Sequence, residues 1–208
     1  YWEELATPYW ALCDAGWTVE LASIQGGEPP ADPASAEGDA LTDDVRRFMV
    51  DEAAMNRLRH TVLVGEVEVS DCDIVFLPGG HGTMWDFPQS LDLGRLLVEA
   101  WDKGAIIGAV CHGPAGLLSA RLISGEPLVK GRRVAGFSNS EENAVGLSEV
   151  VPFLLADRLS EAGAKVEHGP DGQPFALTDG RLVTGQNPAS SAEVARLMLK
   201  AADKPAIV

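Results

Sequence analysis

The sequence predicts an α/β fold with a mostly parallel sheet covered by helices on both faces. Three observations carry the prediction. Strand-like and helix-like segments alternate along all 208 residues. The central strands, built on "IVFL" and "AIIGAV", are continuously apolar, as strands buried on both faces must be. Glycine-rich turns close several of these strands, where parallel sheets collect their chemistry. The chain is long enough for one domain burying roughly 70% of its unfolded surface. No linker or internal repeat divides it, so residues 1–208 read as a single domain.

The elements follow in order. Residues 3–15 show apolar positions at helical spacing, with Gly16 as the stop; Pro8 suggests a start near Thr7. Residues 17–23, "WTVELAS", read as a strand, and residues 24–40 as a Gly/Pro/Asp loop long enough to serve a function. A helix is expected over 42–59 with Thr42 as N-cap. The strand at 72–80 runs into "PGG", and "SLDLGRLLVEAWDKG" is an amphipathic helix closed by Gly104. Strands follow at 105–110 and 132–138, with "SNSEEN" as a loop and a helix over 146–162 that Pro152 kinks or delays. "AKVEHG", "PFALTD" and "RLVTGQ" read as short strands, and "SSAEVARLMLKAA" as the closing helix.

Composition excludes whole classes of function. The net charge of −15 repels phosphate backbones and anionic membranes, which argues against nucleic-acid and membrane partners. No apolar run reaches ~18 residues. The three cysteines, Cys13, Cys72 and Cys111, form no C-x-x-C and no even set, which fits a reducing, cytoplasmic setting. His60, His81, His112 and His168 lack metal-ligand spacing, so no metal is expected.

Three strand ends hold candidate chemistry: "PGGHG", "CHGP" and "SNSEEN". "AVCHG" has the nucleophile-elbow form of small residue, any residue, nucleophile, any residue, small residue. Pro114 suits a first helical turn, and the helix N-terminus would favour a Cys111 thiolate. The backbone N–H groups of Gly80 and His112 could hold a developing oxyanion. His81 reads as a pocket-lining or surface-loop histidine.

"LPGGHGTMWDFP", "AVCHGPAGLL", "KGRRVAGFSNSEENAVG" and "LVTGQNPASS" together resemble the ThiJ/PfpI superfamily, most closely its heat-shock chaperone and glyoxalase III branch. The resemblance runs from Glu3 to about Leu199. It implies a flavodoxin-like sandwich, a homodimer, and a catalytic Cys111 followed directly by His112. It also implies an acidic partner some thirty positions on, Glu142 or its neighbour Glu141, and an N-terminal glutamate on the sulfur, Glu4 rather than Glu3. A further central strand upstream of Tyr1 belongs to the same expectation.

The chemistry so implied is conversion of methylglyoxal to lactate through a cysteine hemithioacetal, with no cofactor. His112 would move the proton, Glu142 would orient it, and a protonated Glu4 would bond the thiolate. Class I glutamine amidotransferases share the elbow but need a late H-x-E, whereas His168 is followed by Gly169 and Pro170. The alternatives are a PfpI-type amidase and a stress holdase or redox sensor with Trp10, Trp17 or Trp85 exposed.

Overall fold

The computed structural model describes residues 1–202. Its elements run α1 (Trp2–Asp14), β1 (Ala22–Ser23), α2 (Asp43–Val50), α3 (Glu52–Arg59), β2 (Val62–Leu63), β3 (Ile74–Leu77), α4 (Thr83–Asp86), α5 (Leu91–Asp102), β4 (Ile106–Val110), β5 (Arg133–Val134), α6 (Asn139–Ala144), α7 (Leu155–Glu161), β6 (Lys165–Val166), β7 (Ala176–Asp179), β8 (Leu182–Gly185) and α8 (Ser191–Ala202). Short 3-10 turns fill several connections, and one of seven residues, Gly113–Ser119, follows β4.

The principal sheet has the order β3-β4-β8-β7, with β3, β4 and β8 parallel and β7 antiparallel at the edge. Two parallel pairs, β1 with β2 and β5 with β6, complete the strands among the described residues. All five residues of β4 are buried. Both α5 and α8 pack on that strand, which is why "AIIGAV" carries no polar side chain. Ile107, Leu97, Leu117, Leu182 and Met198 form the centre of the core. A second cluster joins α1 to α2 and α3 through Tyr9, Trp10 and Phe48, with edge-to-face rings 4.9 Å apart.

Several elements differ from expectation for local reasons. Pro8 lies inside α1, not at its start. The region 42–59 is two helices, because the Asp51 side chain caps Ala54 N–H and opens α3. The helix after Pro152 starts only at Leu155. "SNSEEN" is not a loop but helix α6, nucleated by a reciprocal capping box between Ser138 and Glu141. The strands expected at 17–23 and 132–138 shrink to two residues each. Trp10 belongs to the core, with 8% exposure, so it offers no sticky patch, whereas Trp85 is 48% exposed.

The architecture brings the loop after β3, the corner after β4 and the start of α6 together at the carboxyl ends of the parallel strands. Close backbone approach is what makes this possible. A Cβ on Gly113 would lie 2.2 Å from the Leu77 carbonyl oxygen, and one on Gly79 would lie 2.6 Å from both Glu4 Oε2 and Val110 O. Backbone cannot yield as a flexible side chain can. Gly113→Ala is therefore expected to destabilise the fold by roughly 1–3 kcal/mol or more, measured as a lowered urea midpoint with an unchanged slope.

Candidate active site

Cys111 directly follows β4 with φ +57°, the only positive φ outside glycine among the described residues. Such a conformation costs about 1–3 kcal/mol and persists because its surroundings hold it. The Cys111 N–H donates to Gly185 O at 3.0 Å, and its carbonyl accepts from Phe137 N–H at 2.9 Å. The strained corner aims Sγ at Nδ1 of His112, 3.3 Å away.

His112 is fully buried, and its Nε2 lies 2.7 Å from Oε2 of Glu142. A carboxylate only accepts, so His112 carries its proton on Nε2 and leaves Nδ1 as the acceptor facing the sulfur. Burial lowers the His112 pKa, opposed by the bond to Glu142. For Glu142, burial would raise the pKa, but bonds from His112 and His81 outweigh it and hold the carboxyl below its ordinary range. The imidazole is thus neutral at physiological pH and its partner ionised.

The choice between neighbouring glutamates resolves on geometry. Glu141 faces away from the cysteine: its Oε1 accepts from Gly172 N–H and Asn187 Nδ2, and its Oε2 from Ser138. Glu142, one position on, reaches His112. The sequence held the signal that separates them, since Ser138-x-x-Glu141 is the capping-box pattern. Glu141 is committed to that cap, and Glu142 is the one that bonds His112.

Glu4 is completely buried, and Oε2 accepts from Gly79 N–H at 2.7 Å. Oε1 has no hydrogen-bond partner among the described residues, yet the carboxyl and the Cys111 sulfur perturb one another's protons. Burial raises the Glu4 pKa to about 7. Burial also pushes the Cys111 thiol up, and the Glu4 charge adds to that, against the bond from His112 N–H. The expected low-pKa thiolate is thereby corrected. The segment after the elbow is a seven-residue 3-10 turn, not an α-helix, and desolvation is the largest influence on the thiol. Near neutrality it is Glu4 that titrates, while the Cys111 thiol keeps its proton.

The remaining expectations fall as follows. The N–H of His112 points at the resting sulfur, so it would meet an oxyanion only as the sulfur shifts. Gly80 sits at φ +111°, and Thr83 Oγ1 donates to the carbonyls of both Gly80 and His112, tying the glycine turn to the elbow. Nothing in the sequence singled out Thr83. His81 is drawn into the site, with Nε2 2.7 Å from Glu142 Oε1 and its ring centroid 4.1 Å from that of His112. Phe137 packs on both rings. His81, His112 and Glu142 also bring three ligand atoms within 4.8 Å of one another, the set among the described residues that could hold a metal ion. A nearby cavity of about 580 Å³ is lined by Tyr1, Glu3, Asp39, Phe137 and Asp171.

Comparison with known proteins follows the same lines. The model of the DJ-1/PfpI family matches residues 2–201. Glyoxalase 3 of Candida albicans is 30% identical over 208 residues, covering 95% of this chain and 87% of the yeast protein. A probable glutathione-independent glyoxalase of Schizosaccharomyces pombe is 34% identical over 176 residues, covering 81% of this chain and 79% of its own. The crystal structure of glyoxalase III from Candida albicans superposes with a TM-score of 0.88 at 31% identity, covering 96% of this chain and 86% of that one.

The Glu4 assignment generates a stability prediction. Its folded pKa of about 7 lies above the ordinary 4.5, so the folded state binds the proton more tightly than the unfolded chain. The stabilising contribution of that proton is complete below pH 4.5 and is lost as pH rises through 7. Glu4→Gln keeps the acceptor for Gly79 and removes the titration. The variant should match the parent near pH 4.5 and exceed it above pH 7 by on the order of 3 kcal/mol, read from denaturant melts across that range.

Proposed function

The chain belongs to the DJ-1/PfpI family, and from that premise we propose that it is a glutathione-independent glyoxalase, a cofactor-free lyase that turns methylglyoxal into lactate. The observation that carries this reading is the unbroken line Cys111 Sγ, His112 Nδ1, His112 Nε2 and Glu142 Oε2, with the unpaired oxygen of Glu4 beside the sulfur. The names of the relatives, Glyoxalase 3 and glutathione-independent glyoxalase, support it.

The chemistry proceeds from these atoms. Glu4 takes the proton from the Cys111 thiol, and Sγ attacks the aldehyde carbon. The carbonyl electrons move onto oxygen, which receives that same proton back from Glu4. The product is a hemithioacetal, its sulfur bonded to carbon and without a proton, and Glu4 is left as a carboxylate. His112, neutral and held by Glu142, then removes the hydrogen from the former aldehyde carbon, giving an enediolate, and returns it to the adjacent carbon. Glu4 carries the hydroxyl proton from the first oxygen to the second. The result is a lactoyl thioester on Cys111. Water adds to its carbonyl, the carbon–sulfur bond breaks, sulfur regains a proton, and lactate leaves. The sum is methylglyoxal plus water to lactate, with no change in total oxidation state and no call for glutathione, nicotinamide or metal. The N–H groups of Gly80 and His112 are the candidates to steady oxygen charge along the way.

The surroundings suit a small neutral carbonyl compound. Cys111 is 4% exposed, which leaves no room for a polypeptide and weighs against the amidase alternative. The same reading takes the chain as a single domain that forms a homodimer in the cytoplasm, without nucleic-acid or membrane partners. The net charge of −15 supports it, and no helix among the described residues is long and apolar enough to cross a membrane.

Purified protein incubated with methylglyoxal in the absence of glutathione should release lactate. Cys111→Ala should release none, and Glu142→Gln should lose roughly 100-fold or more in kcat. Lactate formation that survives in Cys111→Ala would overturn the proposal.

A further inference from the structure

The reaction just described uses one oxygen of Glu142, and the carboxylate has two. Oε2 meets His112, while Oε1 meets Nε2 of His81 at an equal 2.7 Å. A carboxylate held on one side only can rotate about its terminal torsion, which is broad and roughly two-fold. Held on both sides by N–H donors, it is fixed in plane. The two imidazoles lie with centroids 4.1 Å apart and rest against Phe137, at 4.5 Å from His112 and 5.9 Å from His81. His81 itself is anchored on the turn that Thr83 ties to the elbow. Of the three, His112 and Glu142 have side chains 0% and 3% exposed, while that of His81 is 26% exposed. His81 can therefore be altered without opening the core.

We propose that His81 is a positioning residue for the reaction: its Nε2–H fastens Oε1 of Glu142, so that Oε2 stays aimed at His112 and His112 keeps Nδ1 toward the sulfur. The inference rests on the glyoxalase reading for its kinetics but not for its geometry. Reading the hydrogen bonds outward from the sulfur, each link fixes the next. The carbon-bound proton needs a free acceptor on Nδ1 beside the sulfur, that tautomer needs an ionised partner on Nε2, and that partner needs its second oxygen occupied. A buried carboxylate oxygen left bare would favour protonation of Glu142 and release its hold on His112.

The charged and titratable groups facing this array set the direction of the pH effect. His112 and His81 both donate to Glu142 and lower its pKa, while His81, Glu142 and Glu141 act on His112, the first lowering its pKa and the two glutamates raising it. Cys111 and Glu4 lie on the far side of His112. Removing His81 takes a donor from Glu142 and a lowering influence from His112. Both changes move the acid limb of the rate profile to higher pH.

The test compares His81→Leu, which fills space without a donor, with His81→Gln, whose amide can restore the N–H to Glu142. In His81→Leu, kcat for lactate formation should fall roughly 10- to 100-fold, with KM changed less than about threefold and the acid limb displaced to higher pH. The carboxyl carbon of Glu142, followed by 13C NMR and needing no substrate, should titrate at higher pH. His81→Gln should recover most of the kcat and the parental Glu142 titration. An unchanged kcat and Glu142 titration in His81→Leu would overturn the proposal. So would a His81→Gln variant as impaired as His81→Leu, since the donor alone would then not suffice. If the parent protein made no lactate, the substrate reading would fail, and the Glu142 titrations would still decide the positioning role.

Discussion

The burial of two neighbouring acids, Glu4 and Cys111, is the constraint on which this site depends. Glu4 and Cys111 both lose solvation, and a charge on Glu4 further raises the Cys111 pKa, so the thiol stays protonated beside an ionised Glu4. The fold tolerates the pair because Glu4 is not wholly abandoned: Gly79 N–H holds Oε2. Placing that N–H beside the elbow requires the turn after β3 to press against β4. The clearances at Gly79 and Gly113 leave no room for any side chain there. The glycines of "PGGHG" and "CHGP" are thus requirements of the electrostatics as much as of the turns.

On the other side of the sulfur the polarity reverses. His112 is pushed toward neutrality by burial, and Glu142 is kept ionised by two imidazole donors. The Cys111 sulfur therefore stands between a carboxyl with a pKa of about 7 and a neutral imidazole. Each is set by its surroundings, since a carboxyl in an apolar site and a carboxylate between N–H donors are different reagents. A sheet that ends three parallel segments at one edge makes this possible. It draws Glu4, the elbow and α6 from distant parts of the chain into one small volume.

Much of this was legible before any coordinates. The uninterrupted apolar character of residues 105–110 gave the central strand, and the sequence C-H-G-P gave the corner, because few backbones accommodate that order elsewhere. What stayed hidden was non-local or depended on burial. The strands at 22–23 and 133–134 are short because their neighbours, not their own residues, decide where pairing ends. Pro8 reads as a helix start, yet α1 already runs through Trp2 and carries Glu4 inward. The capping box of α6 was written in the sequence but masked by the loop-like look of "SNSEEN". His81 sits in an ordinary glycine turn, and only the fold reveals that it faces Glu142 across a separation of 61 residues.

The state of the cysteine proton also separates the rival roles of the family's chemistry. A sensor of peroxide profits from a standing, accessible thiolate, because that form is the one oxidised. Here the sulfur is 4% exposed, and burial favours its protonated form. The proton leaves when an electrophile small enough to enter draws the sulfur forward, with Glu4 on one side and His112 on the other to receive protons. A thiol that ionises on demand reacts with its substrate and resists oxidation in the interval. That division of labour suits repeated turnover of a reactive carbonyl better than a single irreversible oxidation event, and desolvation, reinforced by Glu4, is its main physical source.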